Sequence, residues 1–145
     1  MYKISIKLFI LLFLAAEYSD AFACSFSRPT SLETFERADR VFRAKIIATE
    51  LRQEDFEGED REVVYATYKL LESFKGENPQ TGLIKEYPFA PGNCMLGLLT
   101  GLEYVVFLKD GLFVTMPDGS WGYFNVEGSE VAPEIEKLRS FADDI

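Results

Sequence analysis

The junction Ala21-Phe22-Ala23-Cys24 joins a small-x-small pattern of the kind signal peptidases cut to one of only two cysteines in the chain. Cleavage after Ala23 makes Cys24 the first residue of the mature protein. Such a residue carries an α-amine beside its own carbonyl oxygen, a pair of groups that no internal cysteine offers. A disulfide from its side chain would hold both still. The other cysteine is Cys94, and in an exported protein the oxidising compartment makes Cys24–Cys94 the expected pair. On the chain-entropy model, closing a loop of about 70 residues stabilises the fold by about 4 kcal/mol.

Residues 1–23 read as a secretory signal peptide. Lys3 and Lys7 precede an apolar run from Leu8 to Ala16, and Glu17, Tyr18, Ser19 and Asp20 form a polar stretch before the cut. The run is too short for a membrane-spanning helix, which needs ~20 residues, and no later segment reads as a span. Secretion or periplasmic export is therefore expected. The alternative, a lipoprotein signal with a diacylated Cys24, fits less well because Phe22 is bulky and no Leu stands three before the cysteine.

The remaining residues 24–145 suffice for one domain. The leader's two lysines and two acidic residues cancel, so the mature part carries the whole formal charge of −9. That argues against nucleic acid and against an anionic membrane surface as partners. The chain contains no histidine, which removes the usual general base at neutral pH, the Ser-His and Cys-His nucleophile pairs and the commonest zinc ligand. Carboxylates are plentiful, but runs such as Glu54-Asp55-Phe56-Glu57-Gly58-Glu59-Asp60 do not have the spacing of a calcium loop and read as a solvated hairpin tip. No paired-carboxylate constellation of the glycosidase kind stands out. These absences point to a binding protein rather than an enzyme, with no cofactor and no metal of its own.

Periodicity supplies the elements that would position the two cysteines. Thr30 or Ser31 caps a short helix through Asp39, with Glu33 placed for a capping box and Leu32, Phe35 and Ala38 on one face. Val41–Leu51 and Glu62–Phe74 read as two strands joined by the acidic tip, and Thr81–Phe89 as a third. Glu103–Lys109 is the fourth strand. Asp110-Gly111 is a turn that needs positive φ, so Leu112–Met116 is expected as a fifth strand, antiparallel to the fourth. Pro133 opens a final helix with Ile135, Leu138 and Phe141 on its buried face. Five such strands flanked by two helices suit a small closed or partly open β-barrel better than a sandwich. Trp121, Tyr123 and Phe124 are expected to pack in or under the core rather than to form an exposed ligand platform, and Tyr104 and Phe107 to be structural.

Several stretches together resemble the netrin-like domain family, whose members include the tissue inhibitors of metalloproteinases and their small secreted homologues. They are the mature start Cys24-Ser25-Phe26, Phe35-Glu36-Arg37-Ala38-Asp39-Arg40-Val41-Phe42-Arg43-Ala44-Lys45-Ile46, Phe74-Lys75-Gly76, Asn93-Cys94 and Gly101-Leu102-Glu103-Tyr104-Val105-Val106-Phe107-Leu108. The resemblance covers Cys24 to about Val114 and implies an OB-fold, a five-stranded Greek-key barrel with two helices alongside. Members typically begin Cys-x-Cys. This chain has Phe26 at the second of those places and no cysteine after Cys94, so both halves of one family bridge are missing together. Met95 stands where a glycine commonly follows the retained cysteine.

In the inhibitors that the chain resembles, the terminal α-amine and carbonyl oxygen chelate the target protease's zinc while the next side chain enters the specificity pocket. Carried over, the chelating groups are those of Cys24 and the pocket residue is Ser25. An α-amine titrating near ~8 is partly neutral at physiological pH, and zinc accepts nitrogen and oxygen donors at an open position. The resemblance thus implies either a metalloproteinase inhibitor or a netrin-like module with another extracytoplasmic protein partner.

Overall fold

The computed structural model describes residues 30–90, 92–123 and 131–144. Among them the chain is mainly β, with one five-stranded antiparallel sheet and two helices. Helix α1 is Leu32–Arg37. Strands β1 (Arg40–Phe56) and β2 (Glu59–Lys75) form a long hairpin, followed by β3 (Thr81–Glu86), β4 (Glu103–Leu108), β5 (Trp121–Tyr123) and helix α2 (Ala132–Asp143). The strand order is β3-β2-β1-β4-β5, so β1 pairs with both β2 and β4. The sheet's ladders do not join into a closed ring.

Helix α1 starts at Ser31, whose Oγ accepts from the Thr34 amide at 3.2 Å. The cap is therefore Ser31 rather than Thr30, and Glu33 is one residue short of the position a capping box needs. Phe35 and Ala38 are buried as expected, whereas Leu32 is 46% exposed. The helix ends against Lys75, whose ammonium donates to the carbonyls of Phe35 (3.0 Å) and Glu36 (2.8 Å). A cation there satisfies carbonyls left open at a helix C-terminus. Gly76 follows with φ +72°, and a Cβ on it would lie 2.6 Å from the Asp39 carbonyl oxygen. The sequence Phe74-Lys75-Gly76 thus places a core ring, a helix cap and an obligatory glycine in succession.

Both faces of β4 are covered, which explains its unbroken apolar run. Tyr104, Val106 and Leu108 face one core with Phe42, Ile46, Tyr68, Ile84 and Val114. Val105 and Phe107 face a second core with Phe35, Trp121, Ile135 and Leu138. Helix α2 has Pro in its first turn, buries Ile135 and Leu138, and sets Phe141 5.6 Å from Phe35. Trp121 is buried and Tyr123 packs against the same core, in accord with the structural reading of those rings. Phe124 lies outside the described residues.

The fifth strand is not where the turn chemistry placed it. Asp110 and Gly111 do take positive φ, of 51° and 108°. The chain then crosses to β3 instead of folding back on β4: Lys85 N donates to Leu112 O and Val114 N to Lys85 O, a parallel bridge between Lys85 and Phe113. Burial of Val114 in the first core and the Tyr87–Phe113 ring contact favour that route. The partner of β4 is Trp121–Tyr123, held by Ser120, whose Oγ accepts from Phe107 N (2.8 Å) and donates to Phe107 O (3.2 Å). The third strand also stops early, at Glu86, where Tyr87-Pro88 ends the ladder and the glutamate side chain takes up a different task.

Candidate functional site

Cys94 lies in the loop between β3 and β4, and three side chains fix that loop's backbone. Asn93 spans its first half, donating from Nδ2 to Pro88 O at 2.7 Å and accepting the Met95 amide on Oδ1 at 3.3 Å. Cys94 itself takes φ +55°, and its carbonyl accepts from Met116 N at 3.2 Å. The left-handed residue is thus the cysteine. Met95 is free to bury its side chain, which is 8% exposed, so the turn forms without a glycine at that place.

The second half of the loop is wrapped around Glu86. This carboxylate is 1% exposed and accepts from three consecutive amides, Leu96 (3.0 Å), Gly97 (3.1 Å) and Leu98. The next amide, Leu99 N, donates to the Tyr104 hydroxyl at 3.0 Å, and that hydroxyl donates to Gly97 O at 2.9 Å. Four successive N–H groups therefore end on two side chains projecting from strands. Burial pushes the Glu86 carboxyl above the ordinary carboxylate range, with the bonds from Leu98, Gly97 and Leu96 pulling the other way. Burial likewise raises the Tyr104 phenol, and the nearby Glu86 adds to the effect.

Neither Glu86 nor Tyr104 stood out in the sequence as part of a site. Glu86 reads there as one more carboxylate within a third strand expected to run on to Phe89. The loop's outer surface is apolar: Phe89 is 66% and Leu99 54% exposed, on either side of the segment that carries Cys94. The Phe89 ring lies over Gly97, whose φ of +70° already demands glycine. The arrangement is a hydrogen-bonded loop with exposed apolar side chains on either side of Cys94.

No free cysteine occurs among the described residues. Cys24 and Ser25 lie outside them, as does the leader. No cluster of three or more potential metal-ligating side chains occurs among the described residues, and none of their helices is long and apolar enough to cross a membrane.

A concavity of about 240 Å³ lies between β1, β4, β5 and α2. On its walls Arg139 binds Glu72 through Nε and Nη2 at 2.6 and 3.0 Å and Tyr123 donates to Glu103 at 2.6 Å, while the buried Arg43 Nε has no hydrogen-bond partner among the described residues. No protein-family model matches the chain, and no curated protein does.

Proposed function

We propose that this chain is an exported, netrin-like binding module of OB type that presents its mature N-terminus, beginning at Cys24, from the Cys94 loop. The observation that carries this reading is the loop itself. Three side chains immobilise a segment whose one chemically distinctive residue is a cysteine. A Cys24–Cys94 bridge, in keeping with the lack of a free cysteine among the described residues, anchors the terminal amine and carbonyl on that support. Pre-organisation of this kind lowers the entropy lost on binding.

The OB assignment draws on two features of connectivity. The first strand lies between β2 and β4, and the parallel Lys85–Phe113 bridge ties β3, at one end of the sheet, to the segment that follows β4, a contact that supports a partly open Greek-key barrel. The partner best matched to the terminal amine, carbonyl and Ser25 is a zinc metalloproteinase cleft. A non-inhibitory extracytoplasmic protein partner is the second reading, favoured by the exposed Phe89 and Leu99 beside the loop. Lipid anchoring at Cys24 is a third possibility that the same experiment resolves.

The protein, expressed with its leader and recovered after export, is examined by intact mass and N-terminal sequencing. The expected product starts at Cys24, carries no lipid, and shows the mass deficit of one disulfide. It should then inhibit a zinc metalloproteinase in a manner abolished by acetylating the α-amine. Inhibition indifferent to acetylation rules out chelation. A product starting elsewhere, or two free thiols, rules out the anchored terminus altogether.

A further inference from the structure

Beyond Lys45 the strand β1 loses its neighbour on one side. β4 pairs with Arg40–Lys45, and Ile46 is closed off by bonds to Gly101 N and Leu102 O. From Ile47 to Phe56 the strand has β2 on one edge and, among the described residues, no strand on the other. Every residue from Ile47 to Gln53 is exposed. Nine residues from Ala48 to Phe56 at ~3.4 Å each give an open edge about 30 Å long. An edge of this length is a template for another extended chain unless it is blunted.

The two faces of this ribbon differ. On one, Glu50, Arg52 and Glu54 lie with Arg61, Val63 and Tyr65, and the charges are internally paired: Arg52 with Glu50, and Lys85 with Glu54 at 2.5 Å. The opposite face carries Thr49, Leu51, Gln53 and Asp55 beside Asp60, Glu62, Val64 and Ala66. Leu51 is 54% exposed there. Asp55 and Asp60 are directly opposite each other, and they and Glu62 have no ion-pair partner among the described residues. Like charges in register cost stability, and an incoming cation would relieve that cost.

We infer that the β1 edge from Ala48 to Phe56 is a strand-addition site for an extended basic segment of a partner protein. The added strand would run antiparallel to β1, in line with β4, and end at the Thr100–Gly101 turn. Main-chain bonds supply affinity, and same-face side chains supply selection. Reading the partner from its N-terminus, lysine or arginine would stand opposite Asp55 and Gln53, then apolar residues opposite Leu51 and Thr49. A second copy of this chain is a poor occupant, because it would bring the same carboxylates to the edge.

The test uses the peptide Lys-Thr-Lys-Thr-Val-Thr-Val-Thr with the full exported protein. Expected are saturable binding that weakens with salt, slowed exchange confined to the edge-facing amides of residues 48–56, and a loss of about tenfold in affinity for the Asp55→Asn/Asp60→Asn variant. That variant should fold at least as stably as wild type, since it removes a repulsion. Equal binding by a peptide N-methylated at alternate residues would show simple charge attraction and overturn strand addition. So would edge-facing amides of 48–56 that stay unprotected in the complex, or that are already slow in the free protein because its own terminus or a second copy occupies the edge; the alternate amides that bond β2 are slow in either state. None of these outcomes depends on whether the Cys24 terminus inhibits a protease.

Discussion

Glu86 shows how much one side chain can organise. A buried carboxylate that accepts three consecutive amides costs solvation but fixes the path of a loop that has no regular structure of its own. Its pH behaviour follows from the direction of its shift. The folded-state pKa lies above the unfolded value of about 4.3, so between the two the native state keeps a proton the unfolded chain has lost. This contribution to stability is therefore fully present below about 4.3 and is lost as pH rises through the folded value. Urea unfolding of wild type and Glu86→Gln at closely spaced pH values isolates the effect as the difference between them. Wild type should lose stability relative to the variant across that window, and the variant should be less stable by about 1–3 kcal/mol above it, where an amide faces donors. A difference independent of pH would refute the linkage. This role was not legible from the sequence, because the three amides come from residues ten to twelve positions away and only the tertiary fold brings them to the carboxylate.

At the scale of elements, the short strands β3 and β5 share a device. Gly82 pairs with Tyr68 across the β2–β3 ladder, and Gly122 with Tyr104 across β4–β5; a Cβ on either glycine would come within 2.6 Å of the facing tyrosine. Each ring lies over a glycine. The two hydroxyls differ in fate, however, since Tyr104 bonds Leu99 N and Gly97 O whereas the Tyr68 hydroxyl is buried with no partner among the described residues. Tyr104→Phe should accordingly cost about 1–2 kcal/mol and speed exchange of the Leu99 amide, while Tyr68→Phe should leave stability within about 0.5 kcal/mol or raise it. Thermal unfolding of both variants side by side checks the contrast, and equal losses would contradict it. Strand existence was legible from alternation and turn residues, and so was the face of α2. Their ends were not: β1 and β2 run on through the acidic residues because pairing with each other sustains them, and the fifth strand moved to Trp121 because Ser120 and the second core hold it there.

For the whole molecule, the long-range tie expected between the start of the mature chain and the β3–β4 loop sets the largest single prediction. Reduction should lower the unfolding free energy by about 4 kcal/mol and loosen the Cys94 loop before the sheet, with two thiols titrating after reduction and none before. No change in stability on reduction would remove the bridge from the account. Composition, the leader pattern, the two cysteines and the apolar spacing determined by themselves the expectation of an exported, mainly β chain, because those signals are local and additive along the sequence. Only the tertiary structure decided that β4 is covered on both faces, that residues 112–114 bridge to β3, and that Glu86 and Tyr104 hold the loop bearing Cys94. Those outcomes depend on which distant groups compete for the same buried donors, acceptors and core volume, and that competition exists only once the chain has closed on itself.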